Sequence, residues 1–177
     1  MADARRLPRR QRGFSMVEVL VVMIVTAIGL LGVAALQAGT MRSSKNAHLA
    51  SAANLAIGDI AERMRANSGG HGADLPYRVL SNYAAVGGTK PAAGTCVSNC
   101  TSQQVAAEDL VRWQRWIAEA LPGGGGFVTG TPQDGYQVTI AWREVDVNTQ
   151  FGSVNANCPA AIAAPADVRC VVAVVRP

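Results

Sequence analysis

Histidine is rare in this sequence, and no arrangement of residues typical of an active site is present. The two histidines, His48 and His71, have no cysteine or carboxylate beside them at metal-ligand spacing. The four glycines at 123–126 follow a predicted helix rather than a strand and lack a following Lys-Ser/Thr pair, so they do not match a phosphate-binding loop. We therefore expect a chain without enzymatic activity, metal or cofactor.

The body of the chain has no net positive charge. The formal net charge is +4, and residues 1–13 account for all of it, with five arginines against Asp3. Residues 14–177 hold 11 basic and 11 acidic side chains. A neutral body lacks the basic surface that nucleic-acid binding requires, so no nucleic-acid partner is expected. The five arginines are Arg5, Arg6, Arg9, Arg10 and Arg12.

Charge and proline are both missing from the apolar stretch that follows the arginines. Residues 19–41 are 23 uncharged positions, and no proline occurs between Pro8 and Pro76. At ~1.5 Å per residue they form a helix of roughly 35 Å, longer than the about 30 Å of a bilayer's hydrocarbon core. The stretch predicts a transmembrane segment at about residues 17–40. Because the arginines lie on one side only, the N-terminus is predicted to be cytoplasmic and the remainder exported to the periplasm.

Three common explanations of such a segment give Glu18 no role. A secretory signal peptide would use Val33-Ala34-Ala35 as its cleavage site, but the apolar run is long for one. A plain signal anchor explains the length, and a twin-arginine signal at Arg9-Arg10 fits the apolar stretch poorly. An acidic residue costs about 2.5–3.5 kcal/mol at the centre of a membrane helix. Glu18 therefore indicates a function, unless it lies shallow enough to reach the headgroups.

The residues around Glu18 form a recognisable motif. Arg12-Gly13-Phe14-Ser15-Met16-Val17-Glu18, followed by an apolar helix, resembles the prepilin leader of the type IV pilin family, with Met16 in place of the usual leucine. The resemblance implies that a prepilin peptidase cuts between Gly13 and Phe14 and methylates the new amine, giving N-methylphenylalanine. It also implies that residues 1–13 are a basic leader, and that Glu18 meets the amine of a neighbouring subunit during assembly.

Cleavage at Gly13 also makes physical sense. It removes all five arginines and leaves an amine at Phe14 with one carboxylate, Glu18, one turn later. Among apolar helices each charge alone is very costly, and pairing the two offsets most of that cost.

A long helix is predicted to continue beyond the membrane. Proline is absent, and Asn67-Ser68-Gly69-Gly70 is a clear stop, so the helix spans 14–67. Its first half is apolar all round. Its second half has one apolar face, at Leu49, Ala53, Ala56, Ile57, Ile60 and Met64. This resembles the spine of a pilin, half transmembrane and half amphipathic, packed under a globular head at 68–177.

The head is predicted to contain a helix and a small antiparallel sheet, which gives an α+β fold. The helix begins at Thr101 or Ser102 and ends at Leu121. Its apolar face consists of Ala106, Leu110, Trp113, Ile117 and Leu121, and its other side holds the pairs Glu108/Arg112 and Arg115/Glu119. Alternating residues predict a half-buried strand at 136–143 with a hairpin partner at 127–129. Further strands are predicted at 170–175 and, within a loop-rich stretch, at 77–81.

Aromatic residues make up only 5% of the 177 residues, and the hydrophobic fraction of 49% includes 30 alanines. The chain is long enough for one ordinary domain and an appendage. A domain with so few large side chains in its core often depends on covalent cross-links. Export favours oxidation of the four cysteines over a zinc site, for which their spacing is poor. Of three possible pairings, sequence proximity favours Cys96–Cys100 and Cys158–Cys170.

Segments outside the leader make the resemblance more specific within the pilin family. Residues 28–37 and 59–67 resemble the PilV minor pilins, which modify or assemble type IV pili, and weaker similarity continues around Trp113, 121–124 and 141–143. This implies a minor pilin that enters or primes the fibre. Its partners would be the prepilin peptidase, other minor pilins, the major pilin and the inner membrane. It would be a single-pass inner-membrane protein before it joins the pilus.

Three alternatives stay open. The leader does not distinguish a pilus from a type II secretion system, where the chain would be a minor pseudopilin. A signal-anchored periplasmic binding protein is a different class with the same anchor. A DNA-uptake pilin is disfavoured by the neutral mature chain, because DNA affinity needs basic side chains.

Overall fold

The computed structural model describes residues 13–71, 77–94, 96, 98–144 and 157–177. The predicted basic leader therefore lies outside the described residues, apart from Gly13. The chain divides into two compact units, residues 1–44 and 45–177, and the division falls inside the first helix.

Helix α1 spans Met16–Ala66, 51 residues, where the sequence predicts a helix at 14–67. Every residue of its apolar part, from Met16 to Met41, is exposed, and this part is long and apolar enough to cross a membrane. The few hydroxyls in this part bond to the helix itself. Thr26 Oγ1 donates to the Val22 carbonyl at 2.7 Å, and Thr40 Oγ1 donates to the Gln37 carbonyl at 2.9 Å. Such bonds remove much of the cost of a hydroxyl in an apolar environment.

The later part of α1, in the unit 45–177, buries one face. All six apolar positions predicted from the spacing are buried, and alanines at 52 and 61 join them. Four of the eight buried residues are alanine, which lets a neighbouring helix approach closely. The indole Nε1 of Trp113 donates to the carbonyl of Ala56 at 2.8 Å. The predicted amphipathic half is confirmed.

Helix α2, Tyr83–Val86, is short, and helix α3 spans Ser102–Ala120. The α3 N-cap is Thr101, whose hydroxyl accepts from the Gln104 N–H while the Gln104 side chain accepts from the Thr101 N–H, a capping box. Four of the five predicted apolar positions of α3 are buried, and Leu110 is partly buried.

The two predicted ion pairs of α3 have different outcomes. Arg112 Nε lies 2.8 Å from Glu108 Oε1, as predicted. The prediction of an Arg115/Glu119 pair is wrong. The segment after α2 runs beside the last turns of α3 and supplies both residues with other partners. Arg115 donates to the Pro91 carbonyl at 2.9 Å, and Glu119 pairs with Lys90, which lowers the pKa of the Glu119 carboxyl.

The sheet has three antiparallel strands in the order β1-β2-β3, with β1 Gly125–Thr131, β2 Gly135–Arg143 and β3 Val168–Val175. In the register, Val128 lies opposite Val138, and Ile140 lies opposite Val171. The three predicted strands are therefore present. The short strand predicted at 77–81 is reduced to one bridge, between Val79 and Val128.

Strand β2 is covered on both faces, although its alternation predicts a half-buried strand. The inner face packs against α1 and α3 through Val138, Ile140 and Trp142. The outer face carries Ala141 in a second cluster, which Tyr83, Phe127, Ile162, Val168 and Cys170 complete. Chain segments distant in sequence cover that outer face, so alternation within β2 alone does not show its burial. The fold is α+β: a long N-terminal helix, further helices and a small antiparallel sheet.

Candidate processing and assembly site

The predicted cleavage position lies immediately before α1. Gly13 and Phe14 are non-helical and exposed, and the Phe14 side chain is 83% exposed. The helix begins at Met16, and its first turn is closed by the Ser15 carbonyl, which accepts from the Glu18 N–H at 3.1 Å and the Val19 N–H at 3.3 Å. An exposed, non-helical Gly-Phe bond at the edge of an apolar helix is chemically suited to a membrane peptidase.

Glu18 is the acidic residue of the first helical turn. A carboxylate there interacts favourably with the partial positive charge of the helix N-terminus. Ser15 and Glu18 also have the Ser-x-x-Glu spacing of a capping box, a local signal that sequence reasoning on the leader did not use. Among the described residues, no cation lies within ion-pair distance of the Glu18 carboxylate.

A continuous, exposed apolar surface runs along the first part of α1. Large side chains from Val17 to Met41 are about half to three-quarters exposed. Exposing a continuous apolar helix of this length to water is energetically costly, so lipid or other apolar helices are expected to cover it. A membrane-anchored protein fits this surface.

Two disulfides are present in the structure, Cys96–Cys100 and Cys158–Cys170, the pairs that sequence proximity favours. Cys158 and Cys170 have Cα atoms 5.1 Å apart, and the buried Cys170 belongs to the outer-face cluster. The second disulfide thus ties the turn around Ala160–Ile162 to β3. The pairing in the exported protein stays a prediction.

A polar network, which the sequence does not signal, fastens the end of α1 to α3. The Tyr77 hydroxyl donates to Asp109 Oδ2 at 2.9 Å and accepts from Asn67 Nδ2 at 3.1 Å. Arg63 bridges Asp59 at 2.9 Å and Asp109 at 3.1 Å. Burial raises the pKa of Tyr77 to about 12, and the hydrogen bond to Asp59 raises the pKa of Arg63. Asp59 and Arg63 have the i,i+4 spacing of a helical ion pair. The other contacts join three separate segments, so no spacing along the chain could indicate them.

A family model for the prokaryotic N-terminal methylation motif matches residues 8–34. The match includes Gly13, Phe14 and Glu18 and indicates a type IV pilin-like or pseudopilin precursor. Such a leader implies processing by a prepilin peptidase and assembly with other pilin-like subunits. No curated protein and no solved structure matches the chain.

Proposed function

We propose that this chain is a minor pilin of a type IV pilus, of the PilV kind. The main support for the proposal is the methylation motif at residues 8–34, in which a predicted peptidase site is followed directly by an exposed apolar helix. The α+β head behind that helix supports it. The similarity of residues 28–37 and 59–67 to PilV favours a minor pilin over a major one.

In this role the chain works by anchoring and assembly rather than by catalysis. The arginine-rich leader holds the N-terminus in the cytoplasm while the head is exported. Cleavage after Gly13 then removes those arginines and exposes the Phe14 amine, which is methylated. On assembly, Glu18 pairs with the amine of a neighbouring subunit, which offsets the cost of both charges in an apolar fibre core and sets the axial stagger.

A minor pseudopilin of a type II secretion system is the second candidate, since the methylation motif is common to both systems. A signal-anchored periplasmic binding protein would keep its N-terminus and stay out of fibres. Whether the chain is found in pili or in a secretion pseudopilus distinguishes a minor pilin from a minor pseudopilin. A processed N-terminus distinguishes both from a periplasmic binding protein.

Mass spectrometry tests the proposal directly. The chain extracted from membranes should begin at Phe14 and carry one added methyl group. The same mature chain should occur in sheared, purified pili and should persist there when the secretion system is deleted. An intact Met1 terminus in cells with an active peptidase, or a terminus at Leu36, would contradict the pilin-like function. A processed chain that is missing from pili but present in a secretion pseudopilus would support the second candidate.

A further inference from the structure

The two edges of the sheet differ in how they are covered. The strand order places β1 at one edge and β3 at the other. On β1, the Gln114 amide accepts from the Gly126 N–H and donates to the Gly126 carbonyl. Further along β1, the Val79 N–H donates to the Val128 carbonyl at 2.9 Å. Helix α3 and the segment before α2 therefore cover part of the β1 edge.

The register shows which backbone groups of β3 point away from β2. The Glu144 N–H donates to the Asp167 carbonyl at 3.0 Å, and these residues lie opposite each other where the β2–β3 register continues past its last pair. Bonded and non-bonded pairs alternate in an antiparallel ladder, so the residues of β3 that bond to β2 are the odd-numbered ones. The N–H and C=O groups of Val172 and Val174 therefore point outward. Within the part of the chain that the structure describes, no hydrogen bond reaches these groups.

The outer edge of β3 also lacks the residues that usually protect an edge strand. Residues 170–175 are all apolar, without a charge or a proline. Val174 is 64% exposed, and Val171 and Ala173 pack against the core but are only partly buried. Natural edge strands often carry lysine, proline or a bulge, which discourage pairing with a further strand. Nothing of that kind interrupts this part of β3.

We propose that the outer edge of β3 binds an extended peptide segment of another protein, which joins the sheet as an antiparallel fourth strand. The occupant follows from the unpaired groups, because an extended backbone presents N–H and C=O groups at the spacing of those of Val172 and Val174. The antiparallel direction continues the pairing of the whole sheet. The inference does not depend on the proposed function.

Charge favours a segment of a different protein over a second copy of β3. Two copies paired about Val172 would place Arg169 of each copy opposite Val175 of the other, and so beside its Arg176. Like charges brought together across a strand pair oppose pairing. Arg169 already pairs with Glu144, whereas Arg176 is exposed and forms no ion pair with a described acidic side chain. A segment with an apolar centre and a carboxylate near Arg176 therefore fits this edge better.

Binding of a model peptide to the complete chain in detergent tests the inference. The probe is a fluorescent peptide of alternating valine and threonine with a glutamate at one end, and anisotropy measures its affinity. Val172→Pro removes the outward N–H without removing a bond to β2, and proline is tolerated at such edge positions. Val172→Thr is the matched control, because it keeps the N–H and a β-branched side chain.

We expect Val172→Pro to weaken peptide binding by about tenfold or more, because it removes a hydrogen bond and places a ring in the path of the added strand. Val172→Thr should stay within about threefold of wild type. An intact Cys158–Cys170 disulfide and an unchanged circular dichroism spectrum show that both variants fold.

Amide hydrogen exchange provides a readout without a substitution. Bound peptide should slow exchange at Val172 and Val174 and leave Val171 and Ala173, which already bond to β2, nearly unchanged. No peptide binding by the wild-type chain, equal affinities of the two variants, or protection confined to other elements would overturn the inference. Self-association of the chain that Val172→Pro abolishes would assign the edge to a second copy and would overturn it as well.

Discussion

At the scale of single residues, Glu18 places a carboxylate in the first turn of the apolar helix α1. Under the proposed function, its partner is the amine of a neighbouring subunit. Glu18→Ala should therefore leave membrane insertion and cleavage after Gly13 nearly unchanged, because the arginines and the apolar run remain. Incorporation into pili should fall sharply, since a neighbour's Phe14 amine would then lie unpaired in an apolar core. Immunoblots of membrane and sheared-pilus fractions measure both quantities.

Glu18→Gln is the control for size in that experiment. It keeps the shape and hydrogen-bonding capacity of the side chain and removes the charge, so it should behave like the alanine variant if the ion pair is what matters. Wild-type amounts of Glu18→Ala in the sheared fraction would mean that Glu18 is a tolerated interfacial residue.

Substitution of Tyr77 tests the stability of the unit 45–177, as substitution of Glu18 tests assembly. Tyr77→Phe removes the hydroxyl that donates to Asp109 and accepts from Asn67. Because these groups lose a partner in a partly buried setting, we expect the free energy of unfolding to fall by about 1–3 kcal/mol. Thermal unfolding of the detergent-solubilised chain, followed by circular dichroism, should show a lower Tm. An unchanged Tm would mean that water replaces the hydroxyl at no cost.

The same side chain predicts a pH dependence. Burial raises the pKa of Tyr77 to about 12, from a usual value of 10.0. The native state therefore holds the phenol proton more tightly than the unfolded chain. Its contribution to stability is complete below about pH 10 and is lost as the pH rises from about 10 to 12. Burial also raises the pKa of Tyr83 and Tyr136, so the variant should still lose stability there, but less steeply than wild type. Parallel Tm curves over that range would contradict this assignment.

At the scale of elements, periodicity predicts what depends on neighbours along the chain. The stripe of α1, the apolar face of α3 and the hairpin of β1 with β2 all follow from spacing and from stop signals such as Pro122. What spacing misses depends on distant contacts. Burial of the outer face of β2 comes from Tyr83 and Ile162, and the network around Tyr77 draws on three separate segments. In the candidate site, Gly13, Phe14 and Glu18 lie within six consecutive residues, which is why a short motif identifies them.

The junction of α3 and β1 offers an element-scale test with glycine. The Gln114 amide accepts from the Gly126 N–H at 3.1 Å and donates to its carbonyl, and a Cβ on Gly126 would come within 2.5 Å of the Trp113 ring. Gly126→Ala should therefore destabilise the chain by about 1–3 kcal/mol through overpacking. Gly58→Ala, in open space on α1, should instead stabilise it by about 0.5–1 kcal/mol.

Urea denaturation of both glycine variants, at matched detergent concentration, gives the two free energies of unfolding. Opposite signs are the expected result, because helix propensity acts alone at position 58 and steric crowding dominates at position 126. Equal effects at both positions would show that the α3–β1 junction has room to relax.

At the scale of the whole molecule, the net charge is concentrated in the segment that the proposed cleavage would remove. All of the net charge of +4 lies in residues 1–13, and the remainder is neutral. Under the proposed function, the leader orients the chain, and its removal leaves a neutral subunit that can pack closely beside others without long-range repulsion. The proposed cut after Gly13 would then convert an oriented membrane precursor into a subunit ready for assembly.

This distribution of charge predicts that orientation depends on the positive charge of the leader and not on arginine as such. Replacing Arg5, Arg6, Arg9 and Arg10 with glutamine should lower the fraction of chains whose head reaches the periplasm, because orientation follows the positive charge beside a membrane helix. Replacing the same four with lysine keeps the charge and should leave export unchanged. The cysteines of the head are expected to oxidise only after export, because disulfides form in oxidising compartments, so the intact mass reports orientation. Exported chains should be lighter by four hydrogens, and a peptide map should join Cys158 to Cys170. Full oxidation in the glutamine variant would show that the apolar helix alone sets the orientation.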